Sequence, residues 1–182
     1  MEETIKKHSK FLLNLAKNAI LSSLDNTTPA MPEAPEETLN SPMAAFVTLR
    51  TNGMLRGCIG HMQARDPLLK AIFEMARAAA FSDPRFPPLK KEEFQHLSIE
   101  LSILTPMQEM KENPLDFIRL GIHGVHLDYQ GYSSVFLPEV PIEVGWDTIT
   151  YLEELSRKAG LPGDSWKKAK LHYFTSIKIK ED

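Results

Sequence analysis

The chain carries a single cysteine, Cys58, and an arginine, Arg56, stands two residues before it. A cation within reach of a thiol favours the thiolate, the form that attacks electrophiles, so this pair is the first place to look for chemistry. Both lie in AFVTLRTNGMLRGCIGH, residues 45–61, where Asn52-Gly53 separates two strand-like runs. A two-residue Asn-Gly loop suits a type I′ turn and therefore a β-hairpin. With Thr51 and Met54 flanking the turn, unbroken pairing sets Arg50 opposite Leu55, Leu49 opposite Arg56, Thr48 opposite Gly57, Val47 opposite Cys58 and Phe46 opposite Ile59. Alternation then puts Arg56 and Cys58 on one face with Val47 and Leu49, about 6.5 Å apart at their Cα atoms. On this reading Cys58 is a nucleophile or redox thiol, and Arg56 is its activating cation or a substrate anchor. Gly57 and Gly60 bracket the thiol and offer backbone amides as a binding edge for an anion. The competing reading makes Cys58 a small buried apolar residue and the two glycines a tight bend.

Other residues compete for a place beside the thiol. His61 reaches it only if the chain bends at Gly60. Asp83 and Arg85 sit in FSDPRFPP, residues 81–88, whose prolines stiffen the backbone. They either aim at the site or cap a turn and pair on the surface. Glu100, between Ser98 and Ser102 on the polar face of a strand, is either solvated or a neighbour of the thiol. His123 and His126 are three apart on a strand and point to opposite faces, which makes them a poor metal pair. One cysteine builds no disulfide within the chain, no four-thiolate zinc site and no iron–sulfur cluster. Neither a metal nor a cofactor is expected.

The elements that position these residues follow from periodicity. Glu2 to Leu24 reads as an amphipathic helix with Thr4 as a cap, and residues 25–42, with four prolines, as an exposed connection without regular structure. Asp66-Pro67 predicts a helix through LLKAIFEMARAAA, with the acid as cap and the proline at its first position. A helical turn over residues 90–96, a strand over 97–104 and a short helix over 114–120 come next. Runs 125–129 and 133–137 form a second hairpin around Gln130-Gly131. Asp147 caps a helix over 148–159 ended by Gly160, Asp164 opens a further turn, and residues 171–179 close the chain as one strand. Trp146 and Trp166 read as core or lobe-interface residues and not as ligand platforms. Helices and hairpins without regular βαβ alternation predict an α+β fold.

LRGCIG, preceded by FVTL and followed by DPRF at 83–86, resembles the signature of the AMME chromosomal region protein family. SIELSIL, FLPEV, GWD and KAGLPGDSW follow in the family's order, so the resemblance runs the whole chain. It departs at Glu139, where the family more usually has glutamine, and at His61, where it often has a small hydroxyl residue. The resemblance implies a single AMMECR-type domain over residues 1–182. That domain is two-lobed, with mixed or antiparallel sheets, a large lobe holding both termini, a smaller middle lobe and a cleft around LRGCIG. It also implies protein A of an AmmeMemoRadiSam system, an accessory component beside Memo-type and radical-SAM proteins. With no cluster cysteines, the chain is not the radical-SAM component itself. The alternatives it leaves open are a non-catalytic scaffold that binds a partner or a small ligand, and nucleic-acid-related regulation or modification.

Composition narrows the rest. A net charge of −3 and a pI near 6.1 argue against generic attachment to nucleic acid. The charged start MEETIKKHSK is unlike a secretory signal and no run is long enough for a membrane span, so a cytoplasmic protein is expected.

Overall fold

The computed structural model describes residues 1–27 and 29–181; Thr28, within the proline-rich connection, lies outside the described residues. The chain divides into two compact units, one formed by residues 1–104 and the tail from Ile177, the other by residues 105–176.

In the first unit, helices α1 (Glu2–Lys7), α2 (Ser9–Leu24), α3 (Leu68–Phe81) and α4 (Lys91–Phe94) accompany strands β1 (Ala44–Thr51), β2 (Met54–Gly60), β3 (Leu97–Leu104) and β8 (Ser176–Lys180). The sheet order is β2-β1-β3-β8, and β1 pairs antiparallel with both neighbours. Val47, Leu49, Ile99, Leu101 and Ile103 are buried on one face with Leu12, Ala16, Ala19 and Ile20 of α2 and Ala71, Ile72, Ala76 and Ala79 of α3. That alternation leaves Phe46, Thr48, Arg50 and their partners Ser102, Glu100 and Ser98 on the opposite face.

The second unit holds β4 (Gln108–Glu109), α5 (Pro114–Phe117), β5 (Gly124–Tyr129), β6 (Tyr132–Phe136), α6 (Val140–Val144), α7 (Thr148–Lys158) and β7 (Lys170–Phe174). Its sheet runs β4-β7-β5-β6, antiparallel at each pairing. Val125, Leu127 and Leu171 form a core with Tyr151, Leu152 and Leu155 of α7 and with Trp166. The buried Tyr151 hydroxyl accepts from Val125 N at 3.1 Å, and burial pushes its phenol well above the ordinary value. The two units together make a mixed α+β protein with antiparallel sheets, as the pattern predicts.

Four expectations need correction. The first helix is two, interrupted at His8 (φ −101°, ψ 17°), whose Nε2 meets Glu36 at 2.9 Å; α1 starts after Met1, and Thr4 is no cap. Lys7, then His8, hold the Glu36 carboxyl down at about 2. The proline-rich connection carries a 3₁₀ turn, Glu37–Asn40, with Leu39 fully buried, so it is fastened to the body at that point. At α3 the cap is Pro67, extended at ψ 142°, while the Asp66 carboxylate takes Lys70 at 2.8 Å. Finally, the closing strand is two strands in different sheets. Thr175 breaks it, its N donating to Thr105 Oγ1 at 2.8 Å and its O accepting from Thr105 N at 3.0 Å. By contrast Asp147 does cap α7, accepting from Thr150 N at 2.7 Å, and Gly160 takes φ 80° after it.

Candidate functional site

The hairpin turns where the sequence says. Asn52 (φ 52°) and Gly53 (φ 76°) are both left-handed, with Thr51 opposite Met54 and Arg50 opposite Leu55. Beyond that the expected register fails, because Leu49 pairs with Gly57 and Arg56 is an extra residue without a partner on β1. A β-bulge of this kind bends its strand and re-aims the side chains beyond it. Thr48 therefore faces Cys58, Val47 faces Ile59 and Phe46 faces Gly60. The thiol lies on the face away from α2 and α3, not with Val47 and Leu49.

The bulge also separates the roles of the two arginines. Arg56 is buried, its Nε donating to Glu93 Oε1 at 2.7 Å and its Nη2 to Glu93 Oε2 at 3.2 Å and to Pro87 O at 2.9 Å. The guanidinium holds the Glu93 carboxyl below its ordinary value. Arg56 thus braces the segment after α3 and is not the cation of the thiol. The guanidinium that reaches Cys58 is that of Arg85, whose Nη2 donates to the backbone O of Cys58 at 3.2 Å. The Arg85 guanidinium is held above its ordinary value, first by Asp83 and to a smaller extent by the Cys58 side chain.

Asp83 is buried and saturated. It accepts from Cys58 N at 2.9 Å, from Arg85 N at 3.1 Å, and from Arg85 Nε and Nη2 at 3.0 and 2.7 Å. Arg85 first, then the backbone N–H groups of Cys58 and Arg85, keep its carboxyl far below the usual range against the cost of burial. An acid so committed is no general base. Asp83 and Arg85 act instead as a clasp that satisfies the outward N–H and C=O of Cys58 as a neighbouring strand would.

The thiol itself is free and half-buried, 3.3 Å from Thr48 Oγ1. On its other side Thr48 pairs with Glu100, which meets Lys178 at 3.7 Å. Thiol, hydroxyl, carboxylate and ammonium therefore form one row across the sheet. Register alone finds Thr48, and the bulge hides it from the sequence.

The glycines have packing reasons. A Cβ on Gly57 would stand 2.1 Å from Ala79 O, and one on Gly60 would stand 2.3 Å from the Phe46 ring. Their role is to admit α3 and an aromatic ring, which removes the observation that favoured a ligand-binding edge there. His61 continues the pairing through its N to Ala45 O at 3.3 Å, and both its ring nitrogens are buried without a hydrogen-bond partner among the described residues. His123 stacks on Phe117 with its Nδ1 accepting from Arg119 N, while His126 lies beside His172. Among the described residues no three His, Cys, Asp or Glu side chains converge to hold a metal, and no helix is long and apolar enough to cross a membrane.

Residues 13–179 match the family model AMMECR1. A protein of Nanoarchaeum equitans is 37% identical over 178 residues, covering 94% of this chain and 99% of its own. One from Methanopyrus kandleri is 37% identical over 172 residues, covering 91% and 83%. The crystal structure of an uncharacterized protein from Pyrococcus horikoshii superimposes with a TM-score of 0.83 at 36% identity, over 97% of this chain and 92% of that one.

Proposed function

The chain belongs to the AMMECR1 family, and from that premise we propose that it is an accessory component working beside Memo-type and radical-SAM partners, with Cys58 as the working group of a small-ligand site. The observation that carries the site is the half-buried thiol, 3.3 Å from the Thr48 hydroxyl, with the Arg85 guanidinium on the backbone carbonyl of the same residue. A guanidinium beside a thiol favours ligands that bring a negative group to the sulfur. The site takes small anions, Arg85 anchors the charge, and the thiol contacts the ligand or adds to it reversibly. Support for the partners comes from the family resemblance alone.

Paired alkylating agents test this. Iodoacetate is anionic and iodoacetamide neutral, so the ratio of their rates at Cys58 reads the local field. Arg85→Gln should lower that ratio several-fold, and Arg56→Gln should leave it within experimental error. The reverse pattern would return the cation role to Arg56, and no change in either variant would remove the anion site.

A second reading, a scaffold without chemistry, draws support from the saturated Asp83 and from His61, which makes no hydrogen bond to the thiol among the described residues. Cys58→Ala separates the two. If co-purification of partners and complementation both survive, the scaffold stands; if the fold survives and complementation fails, the thiol is required.

A further inference from the structure

On the second unit's sheet, His126 of β5 and His172 of β7 are direct cross-strand partners, so their side chains share one face. Their ring centroids are 5.8 Å apart with planes inclined at 52°. The Nδ1 atoms of both rings are buried without a hydrogen-bond partner among the described residues. Buried polar atoms are nearly always satisfied, and one occupant bound by both rings would satisfy these two nitrogens together.

We propose that His126 and His172 together bind a late first-row divalent ion, zinc or copper, through their Nδ1 atoms. Imidazole is the donor these ions share, and it is a poor donor for magnesium or calcium. The ring centroids, 5.8 Å apart, lie within the span of about 6.4 Å that one ion bound by both rings allows. Glu109, the partner of His172 on β4, is paired with Lys170 at 3.5 Å. The protein therefore supplies two ligands, and the open positions go to water or an added ligand, which makes the ion exchangeable.

The test uses the full chain after chelator treatment, titrated with zinc chloride by calorimetry and, in parallel, by nitrogen-15 NMR of the histidine rings. One saturable site is expected, with the Nδ1 resonances of both His126 and His172 moving on binding. Affinity should fall at least ten-fold in His126→Gln and in His172→Gln, and stay unchanged in Cys58→Ala. Absence of saturable binding, unmoved Nδ1 resonances, or binding lost in Cys58→Ala overturns the proposal. The wild-type NMR arm decides the matter even if a histidine variant fails to fold.

Discussion

The two hairpins are turned by the same device and end differently. Asn52-Gly53 and Gln130-Gly131 are both two-residue loops with positive φ at each position, 52° and 76° in the first, 52° and 86° in the second. From its turn the second hairpin pairs without interruption, Tyr129 with Tyr132 through to Val125 with Phe136. The first slips after two pairs. A turn sets where a hairpin folds back, and packing beyond the turn sets which residues meet. In β2 the decisive contact is Gly57 against the carbonyl of Ala79, which a strand with a side chain at that place cannot make.

The largest effect is expected there. Gly57→Ala should cost about 3 kcal/mol or more in denaturant unfolding, because the new methyl group meets backbone and not a movable side chain. Gly131→Ala, at φ 86° with open space around it, should cost about 1 kcal/mol. Equal costs would mean that the bulge is not held by α3.

Next come the arginines, whose roles the bulge exchanged. Arg56→Met should lose about 2 kcal/mol, because it strands Glu93 and Pro87 O; Glu93 is partly exposed, which keeps the figure below that of a fully buried pair. Arg85→Met leaves the buried Asp83 carboxylate with only the N–H groups of Cys58 and Arg85, and should cost about 2 to 3 kcal/mol although Arg85 itself is exposed. Thermal or urea unfolding of both reads the comparison.

A pH series sharpens it further. The Asp83 carboxyl has a folded pKa below its unfolded value near 3.9, so its contribution to stability is present in full above that value and is lost as pH falls toward the folded pKa. Asp83→Asn should therefore be less stable than wild type at pH 7, with the gap closing below about pH 4. Exchange of the Cys58 amide, which Asp83 holds, should quicken in the variant. The smallest effect belongs to the second turn. Gln130→Asn places a residue more tolerant of the left-handed region there and should stabilise by about 0.5 kcal/mol.

What the sequence discloses and what it conceals divide along the same line. The turn at Asn52-Gly53, the Asp147 cap and the Gly160 stop are short-range effects, settled by residues within a few positions of one another. The bulge depends on α3, and the partner of Arg56 is Glu93, 37 residues away. No local pattern carries such contacts. The strand break at Thr175 is of the same kind, since its hydrogen bonds go to Thr105, 70 residues earlier. Proximity in sequence made Arg56 look like the partner of the thiol, and the residue that approaches it comes from the DPRF turn.

The clasp of Asp83 and Arg85 has a bearing on how the protein behaves in company. The first unit's sheet has two margins, β2 and β8, and an unpaired strand margin is a template on which other chains can add. At β8 exposed Lys178 and Lys180 discourage that by charge. At β2 the clasp occupies the outward N–H and C=O of Cys58. The same two side chains therefore occupy the groups through which another strand would pair at Cys58, and concentrated solutions lacking the clasp should scatter light before those of the intact protein do.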